Sequence, residues 1–507
     1  MNSPRVLVIG SGLAAGMFAA QIPASWEIWQ FAAGGPSGSS SYKAKGGIAI
    51  PLDENDFEAH VKDTLVAGSF HNKESVVKEL LEASLPALAY WKSRGFNPDF
   101  HKALEGGHSV PRVVHIGDET GKHITQVVYD QLEKQTNLKR FEGYRLLDLI
   151  QENKQVKGVE LLHESSRKVY RIYGHAVVFA TGGGSALFGF HSNAPHSTGE
   201  ALAIANRAGA QVDDLEFVQF HPTLFMGKDP QKGQLITEAL RGAGADLLNP
   251  NLIPFMKSRH PLGALAPRDL VSQGVFYTMQ QTGSNFVWLD ISQISELKMK
   301  AQFPALYSWF KKDGFLTLGK VPVAPGAHYF CGGIAASTSG ETALEGLYAL
   351  GEVACTGLHG ANRLASNSLM EILASTWLLS KKWPAEQLSF ASLPKNQLVG
   401  FQQRYENYTR VTKKIGEMLT QYAGIVRTQA GLNKVAAELN YMEEESDFLN
   451  NEVVTFTPLD NKIQTAKLLV EAASRRTQSL GCHFLEVEPE PNPLNVLSET
   501  ELETELH

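Results

Sequence analysis

The stretch from residue 5 to residue 22, RVLVIGSGLAAGMFAAQI, decides how the rest of the chain is read. Its apolar run, RVLVI, has the length of a strand buried on both faces. Glycines follow at Gly10 and Gly12, then the small pair Ala15–Gly16, within an Ala-rich segment free of helix breakers. In a strand–turn–helix of this kind the first glycine permits the tight turn and the second lets a pyrophosphate approach the backbone. The small third position lets helix and strand pack closely, with the helix N-terminus facing the phosphates. The pattern predicts a doubly wound, Rossmann-like α/β domain with a dinucleotide at the turn. The ribose partner should end the second strand, WEIWQF (26–31), where Gln30 offers an amide in place of the usual carboxylate.

Residues 34–47, GGPSGSSSYKAKGG, are loop by composition. From Lys73 to Arg94 the residues Val77, Leu81, Leu85 and Leu88 share one helical face, Gly95 ends it, and Pro86 should kink it. HAVVFATGGGS (175–185) repeats the buried strand that runs into glycines. Pro- and Gly-punctuated sequence fills 222–328, before GLYALGEVACTGLHGANRLASNSLMEIL (346–373) returns to strand, turn and helix. From about residue 399 the chain reads as charged helix, and the acidic end SETELETELH (498–507) is expected to fray. The layout predicts a nucleotide-binding domain in two pieces (1–221 and 329–398), an inserted α+β cap (222–328) and a C-terminal helical bundle (399–507).

Composition narrows the function. The chain has 507 residues, 43% hydrophobic and 20% charged, with a formal net charge of −7 and no basic tract, which argues against nucleic-acid binding. No apolar run is long enough to span a membrane, and RVLVIG starts too early to leave room for a signal peptide. The cysteines Cys331, Cys355 and Cys482 are far apart and form no CxxC pair. A reduced, cytoplasmic protein is expected. GDETGKH (117–123) is no phosphate loop, because only three residues separate its glycines and a histidine follows the lysine. His101, His108, His115 and His123 recur regularly, but Gly106, Gly107 and Pro111 break any helix that would align them. No metal site is expected.

Four later stretches carry ionisable groups beside prolines or glycines: FVQFHPT (217–223), LITEALRG (235–242), LAPRDLV (265–271) and APGAHYFCGG (324–333). Singly, His221 is an ordinary core or surface histidine, and Arg268 has Asp269 beside it as a surface partner. Together, Arg268, Arg363, His221 and His328 could grip both ends of a small dicarboxylate through charge-assisted hydrogen bonds.

These stretches, with GSGLAAG, KGGIA, EGGHS, ATGGG and GEVACTGLHGANRLASNSL, occur in the order found in the succinate dehydrogenase/fumarate reductase flavoprotein superfamily, which the chain resembles from residue 10 to about 369. GIVRTQAGL (424–432) and SRRTQSLGCHF (474–484) extend the resemblance into the tail. Within the superfamily it is closest to the members that oxidise L-aspartate at the start of bacterial NAD biosynthesis. The resemblance implies FAD lying between the nucleotide domain and the cap. Ser39, Ser40, Gly46, Gly47, Thr181, Gly182, Glu352, Asn367, Ser368 and Leu369 fall at its cofactor positions. Ser40 stands where membrane-bound relatives attach FAD through a histidine, which implies a non-covalent cofactor. Lys45 replaces a common glutamine, and its ammonium either stabilises anionic reduced flavin or points away.

The resemblance also implies a dicarboxylate site in which Arg363 and His328 hold one carboxylate and His221, Thr237 and Glu238 address the other. Arg268 falls at the position of the proton-transferring arginine. EGGHS (105–109) places Glu105 where the aspartate-oxidising members face the substrate's ammonium group, and the corresponding chemistry is direct: an amine needs an acceptor, and a carboxylate is the strongest. The implied reaction is hydride transfer from the aspartate Cα to flavin N5, giving iminoaspartate, with reoxidation by O₂ or fumarate and delivery to quinolinate synthase. Two rivals stay open: a succinate- or fumarate-converting flavoprotein subunit, against which Ser40 speaks, and a flavoprotein without turnover, against which Arg268 and Arg363 speak.

Overall fold

Strand β1 (Arg5–Ile9) sits at the centre of a five-stranded parallel sheet. On one side it pairs with Ala176–Phe179 and then Leu347–Ala349, on the other with β2 (Glu27–Ala32) and then Leu138–Glu142. The fold is known from a computed structural model, which describes residues 3–227, 233–383, 392–401, 408–447 and 456–486. The acidic end expected to fray lies outside the described residues.

The apolar run of β1 is explained by what covers its two faces. Val6 and Val8 join a core with helix α1 (Leu13–Gln21) and the helices Glu74–Lys92, Thr120–Leu132 and Asn367–Lys382. Leu7 and Ile9 point the other way, into a core shared with Tyr408–Tyr422, Gln429–Asp447 and Pro458–Arg475. Alternating side chains along one strand thus bind two helical layers, and the tail helices cover one face of the nucleotide sheet. Pro458–Arg475 begins with a capping box, Thr457 accepting from the Asp460 amide and Asp460 from the Thr457 amide.

The interrupting segment builds a second sheet, in the order Val218–Phe225, Lys320–Phe330, Val287–Asp290, Asp246–Leu248, with its own core around Phe310, Val287 and Leu289. The sequence-based borders at 221/222 and 328/329 fall inside its first and longest strands. Among the described residues no helix is long and apolar enough to cross a membrane.

Two local expectations need correction. Helix Glu74–Lys92 buries Val77, Leu80, Leu81, Leu88 and Trp91, but Leu85 is 46% exposed: the contact face follows Leu80 and Leu81, against the Asn367–Lys382 helix. Pro86 lies within this helix, which continues to Lys92. The 34–47 loop contains a 3-10 turn, Pro36–Gly38, and a helical turn, Ser40–Lys43, capped by Ser39, whose Oγ accepts from the Tyr42 amide at 3.2 Å.

Candidate active site

Gly10 shows why the glycine turn folds as it does. It has φ +128°, and a side chain there would overlap the carbonyl of Ala180 on the neighbouring strand. Beyond it, α1 starts at Gly12 with no capping side chain and no acidic residue in its first turn. Its leading amides are therefore free for an anion, and Gly12, Leu13 and Ala14 line a cavity with about 1820 Å³ of atom-free space, its open mouth included. The same cavity is walled by Gly10, Ser39, Ser40, Gly46, Gly47, Thr181, Gly182, Glu352, Ser368 and Leu369. An uncapped helix N-terminus that opens onto this cavity fits the pyrophosphate of a bound dinucleotide.

Four expected cofactor residues are not on that wall. Ala15 is fully buried, and Gly16 packs against Val128 and Tyr129, so both serve helix packing. Gln30 turns inward: its Nε2 donates to the Gly10 carbonyl at 2.9 Å and to Tyr129 Oη at 3.1 Å. It braces the turn, while Ala32 and Ala33 line the cavity at the end of β2. Asn367 also faces away, with Nδ2 donating to Thr64 Oγ1 at 3.0 Å and Oδ1 meeting His60 Nε2 at 2.9 Å.

All seven residues assigned to the substrate, Glu105, His221, Thr237, Glu238, Arg268, His328 and Arg363, line the same cavity. His221 and His328 come from the paired strands Val218–Phe225 and Lys320–Phe330, where register shifts around Pro222 let the side chains be re-aimed. Their ring centroids lie 5.2 Å apart. Arg268 opens the helix Arg268–Thr282 directly after Pro267. Glu105 follows the strand Asp99–Ala103, and Gly106 beside it is required because a side chain there would overlap the Glu238 carboxylate.

Electrostatics set the protonation states. Burial, then Arg268 for His221 and Arg363 for His328, hold both imidazoles well below their usual range, so both are neutral. His221 Nδ1 accepts from the Thr223 amide at 3.3 Å, which leaves Nε2 as its proton donor. His328 Nδ1 meets Ser192 Oγ at 2.7 Å. Burial would raise Glu238, but Arg268 at 2.7 Å and Arg241 at 3.3 Å outweigh it and hold the carboxylate below its usual range. Glu105 is pushed up, first by burial and also by Glu238, against the hydrogen bond from Ser366. Glu352 is raised to about 7 by burial, with its Oε1 accepting from the Phe330 amide at 3.0 Å. Lys45 lines the cavity and reaches Glu119 at 3.9 Å.

Two residues at the site were not singled out from sequence. Gln219 is fully buried, and its Oε1 accepts from Arg268 Nη1 and from Arg363 Nη2, each at 3.1 Å. It lies in FVQFHPT, two positions before His221, so its motif was visible but its neutral amide gave no chemical signal. Ser366 donates to Glu105 Oε2 at 2.6 Å. Arg363 lies 4.4 Å over the Tyr329 ring, and its buried Nε has no hydrogen-bond partner among the described residues. A buried guanidinium on the cavity wall with an uncommitted N–H fits an anionic ligand. Among the described residues no group of His, Cys, Asp or Glu is suited to hold a metal ion.

Comparison with known proteins agrees with this geometry. Residues 5–369 match the FAD binding domain family and residues 412–505 the fumarate reductase flavoprotein C-terminal family. The L-aspartate oxidase of Vibrio cholerae is 35% identical over 96% of this chain and 96% of its own length, and that of Bacillus subtilis is 36% identical over 96% and 91%. Among solved structures, a mutant E. coli quinol fumarate reductase superposes with a TM-score of 0.82 at 26% identity, over 97% of this chain and 93% of its own. The chain belongs to the L-aspartate oxidase family of FAD-dependent flavoproteins.

Proposed function

We propose that this chain oxidises L-aspartate to iminoaspartate with non-covalently held FAD, the first step of de novo NAD biosynthesis. The observation that carries the reading is the meeting, in one cavity, of two arginines and a buried carboxylate, Glu105. Arg363 with the imidazole and hydroxyl donors suits the substrate's two carboxylates, and the Glu105 carboxylate suits its ammonium group. A buried carboxylate left unpaired disfavours succinate, which lacks the amine.

The cofactor residues are Gly12, Ser39, Ser40, Gly46, Gly47, Thr181, Gly182, Glu352, Ser368 and Leu369, with the amides opening α1 receiving the pyrophosphate. FAD, when bound, supplies the acceptor for the hydride leaving the aspartate Cα. The protein does the rest by holding and orienting. Arg363, whose Nε has no partner among the described residues, and His328 hold one carboxylate. His221, donating from Nε2, and Thr237 hold the other. Glu105 accepts from the ammonium group and so fixes which substituent of Cα faces the cofactor. Arg268 and Glu238 form the ion pair from which a proton can be exchanged with the cavity, and Gln219 holds Arg268 and Arg363 side by side without neutralising either. Residues 222–328 act as the cap over this site.

Reoxidation by O₂ or fumarate suits the same cavity. Iminoaspartate is reactive, which favours quinolinate synthase as the enzyme that consumes it, in the cytoplasm. The test is anaerobic addition of L-aspartate to the yellow holoprotein, with succinate in parallel. Bleaching of the flavin absorbance by aspartate and not by succinate is expected; bleaching by succinate alone, or by neither, sinks the reading. Release of all the flavin on acid precipitation checks that it is non-covalent.

A further inference from the structure

Ser366 precedes the helix Asn367–Lys382 with a left-handed backbone, φ +60°. A serine in this place commonly turns its hydroxyl onto the first amides of its own helix. Ser366 makes no such bond. Its one hydroxyl proton goes instead to Glu105 Oε2 at 2.6 Å, a residue 261 positions away.

The surroundings hold this contact from several sides. The Ser366 carbonyl accepts from the Ala49 amide at 3.2 Å, and the preceding Ala365 carbonyl meets His108 Nε2 at 2.9 Å. His108 and Glu105 belong to the same loop, whose turn is closed by the His108 amide donating to the Glu105 carbonyl at 3.2 Å. Gly46 packs over the pair: a Cβ there would lie 3.2 Å from Ser366 Oγ and 3.7 Å from Glu105 Oε1. The contact therefore fixes the carboxylate with Oε2 tied back and Oε1 beside Gly46 on the cavity wall.

We propose that Ser366 is the positioning residue for amine recognition: its hydroxyl orients Glu105 while leaving the carboxylate's negative charge free for the substrate's ammonium group. The inference rests on the reading of Glu105 as the amine's acceptor. A lysine or arginine in place of Ser366 would orient the carboxylate equally well but would compete with the ammonium for its charge. A neutral donor with a single proton satisfies one oxygen and leaves the other. Ser366 thereby sets the preference for an amino dicarboxylate over one without the amine.

The experiment compares S366G, S366A, E105Q and the double variant S366G/E105Q as FAD-loaded enzymes, measuring kcat and KM for L-aspartate and Ki for succinate. S366G is chosen because glycine adopts the left-handed backbone without strain. Loss of the charge-assisted hydrogen bond should raise KM for aspartate on the order of ten-fold or more, with Ki for succinate unchanged or lower. In the E105Q background S366G should add less than about two-fold, since its route to the substrate is gone. Equal weakening of aspartate and succinate, failure to load FAD, or the same shift with and without Glu105 would show a structural role and overturn the proposal. An unchanged aspartate-to-succinate ratio in S366G and S366A with a collapsed ratio in E105Q would overturn it while sparing the reading of Glu105. An unchanged ratio in E105Q itself would remove that reading, and this inference with it.

Discussion

The Glu238 carboxylate accepts a hydrogen bond from Arg268 Nε at 2.7 Å, both side chains lining the cavity. On its other side Glu238 lies 3.3 Å from Arg241, which is itself buried and held below the usual range of arginine by that burial. A carboxylate shared by two guanidiniums is locked in place, and it lowers the net positive charge facing the substrate. Glu238→Gln keeps the shape and removes the charge. Turnover should fall on the order of a hundred-fold, with a smaller change in KM, if the pair takes part in proton exchange. Steady-state kinetics on the FAD-loaded variant decide it; a loss confined to KM would reduce Glu238 to a binding role.

Arg363 has one guanidinium N–H committed to Gln219 and a buried Nε without a partner among the described residues. Arg363→Leu removes the charge-assisted bonds proposed for one substrate carboxylate. KM for aspartate should rise by roughly a hundred-fold, at about 1.5–3 kcal/mol for each bond to a charged group. Flavin fluorescence titration should give an unchanged FAD affinity, separating substrate binding from cofactor binding.

Glu105 should set an acid limb in the pH profile. Its proton affinity is raised chiefly by burial and by the neighbouring Glu238, and opposed by Ser366, Arg268 and Arg363. A raised carboxylate pKa means that the ionised form is lost while pH is still above the usual glutamate value. As pH falls through it, Glu105 becomes neutral and kcat/KM for aspartate declines. Glu105→Gln should abolish this limb and lower kcat/KM on the alkaline side of it, where the parent carboxylate is ionised. A variant whose acid limb coincides with that of the parent enzyme would assign the titration to another group.

The loop that carries Glu105 is anchored by Arg112. This fully buried arginine meets Asp56 at 2.9 Å, Asp63 at 2.6 Å and His108 Nδ1 at 2.7 Å. His108, lowered to about 4 mainly by burial, is neutral and accepts there, so its Nε2 proton is left for the Ala365 carbonyl. Arg112→Ala would strand two carboxylates, and destabilisation of about 3–5 kcal/mol is expected in urea unfolding of the holoprotein. Arg112→Met, which fills the space but leaves the same carboxylates unpaired, should rescue little.

Much of this architecture was legible because its causes are local. The turn after β1 needs Gly10 for its positive φ and Gly12 for an open helix start, and both requirements show in the order of residues. The histidines, arginines and Thr237 could be singled out because they stand in motifs that the superfamily shares. Leu85 was misplaced for a different reason. The helical period alone allows more than one apolar stripe on Glu74–Lys92, and the partner helix chooses between them.

The sequence by itself determined the nucleotide-binding turn, since backbone sterics act within a few residues, and its shared motifs pointed to FAD and to a set of charged groups that the structure brings to one cavity. Only the tertiary structure decided where uncommitted polar groups spend their hydrogen bonds. Gln30 found Tyr129 across 99 positions, Asn367 found Thr64 across 303, and Ser366 found Glu105 across 261. A buried amide or hydroxyl must be satisfied by whatever packing brings within about 3 Å, and no spacing along the chain encodes that neighbour.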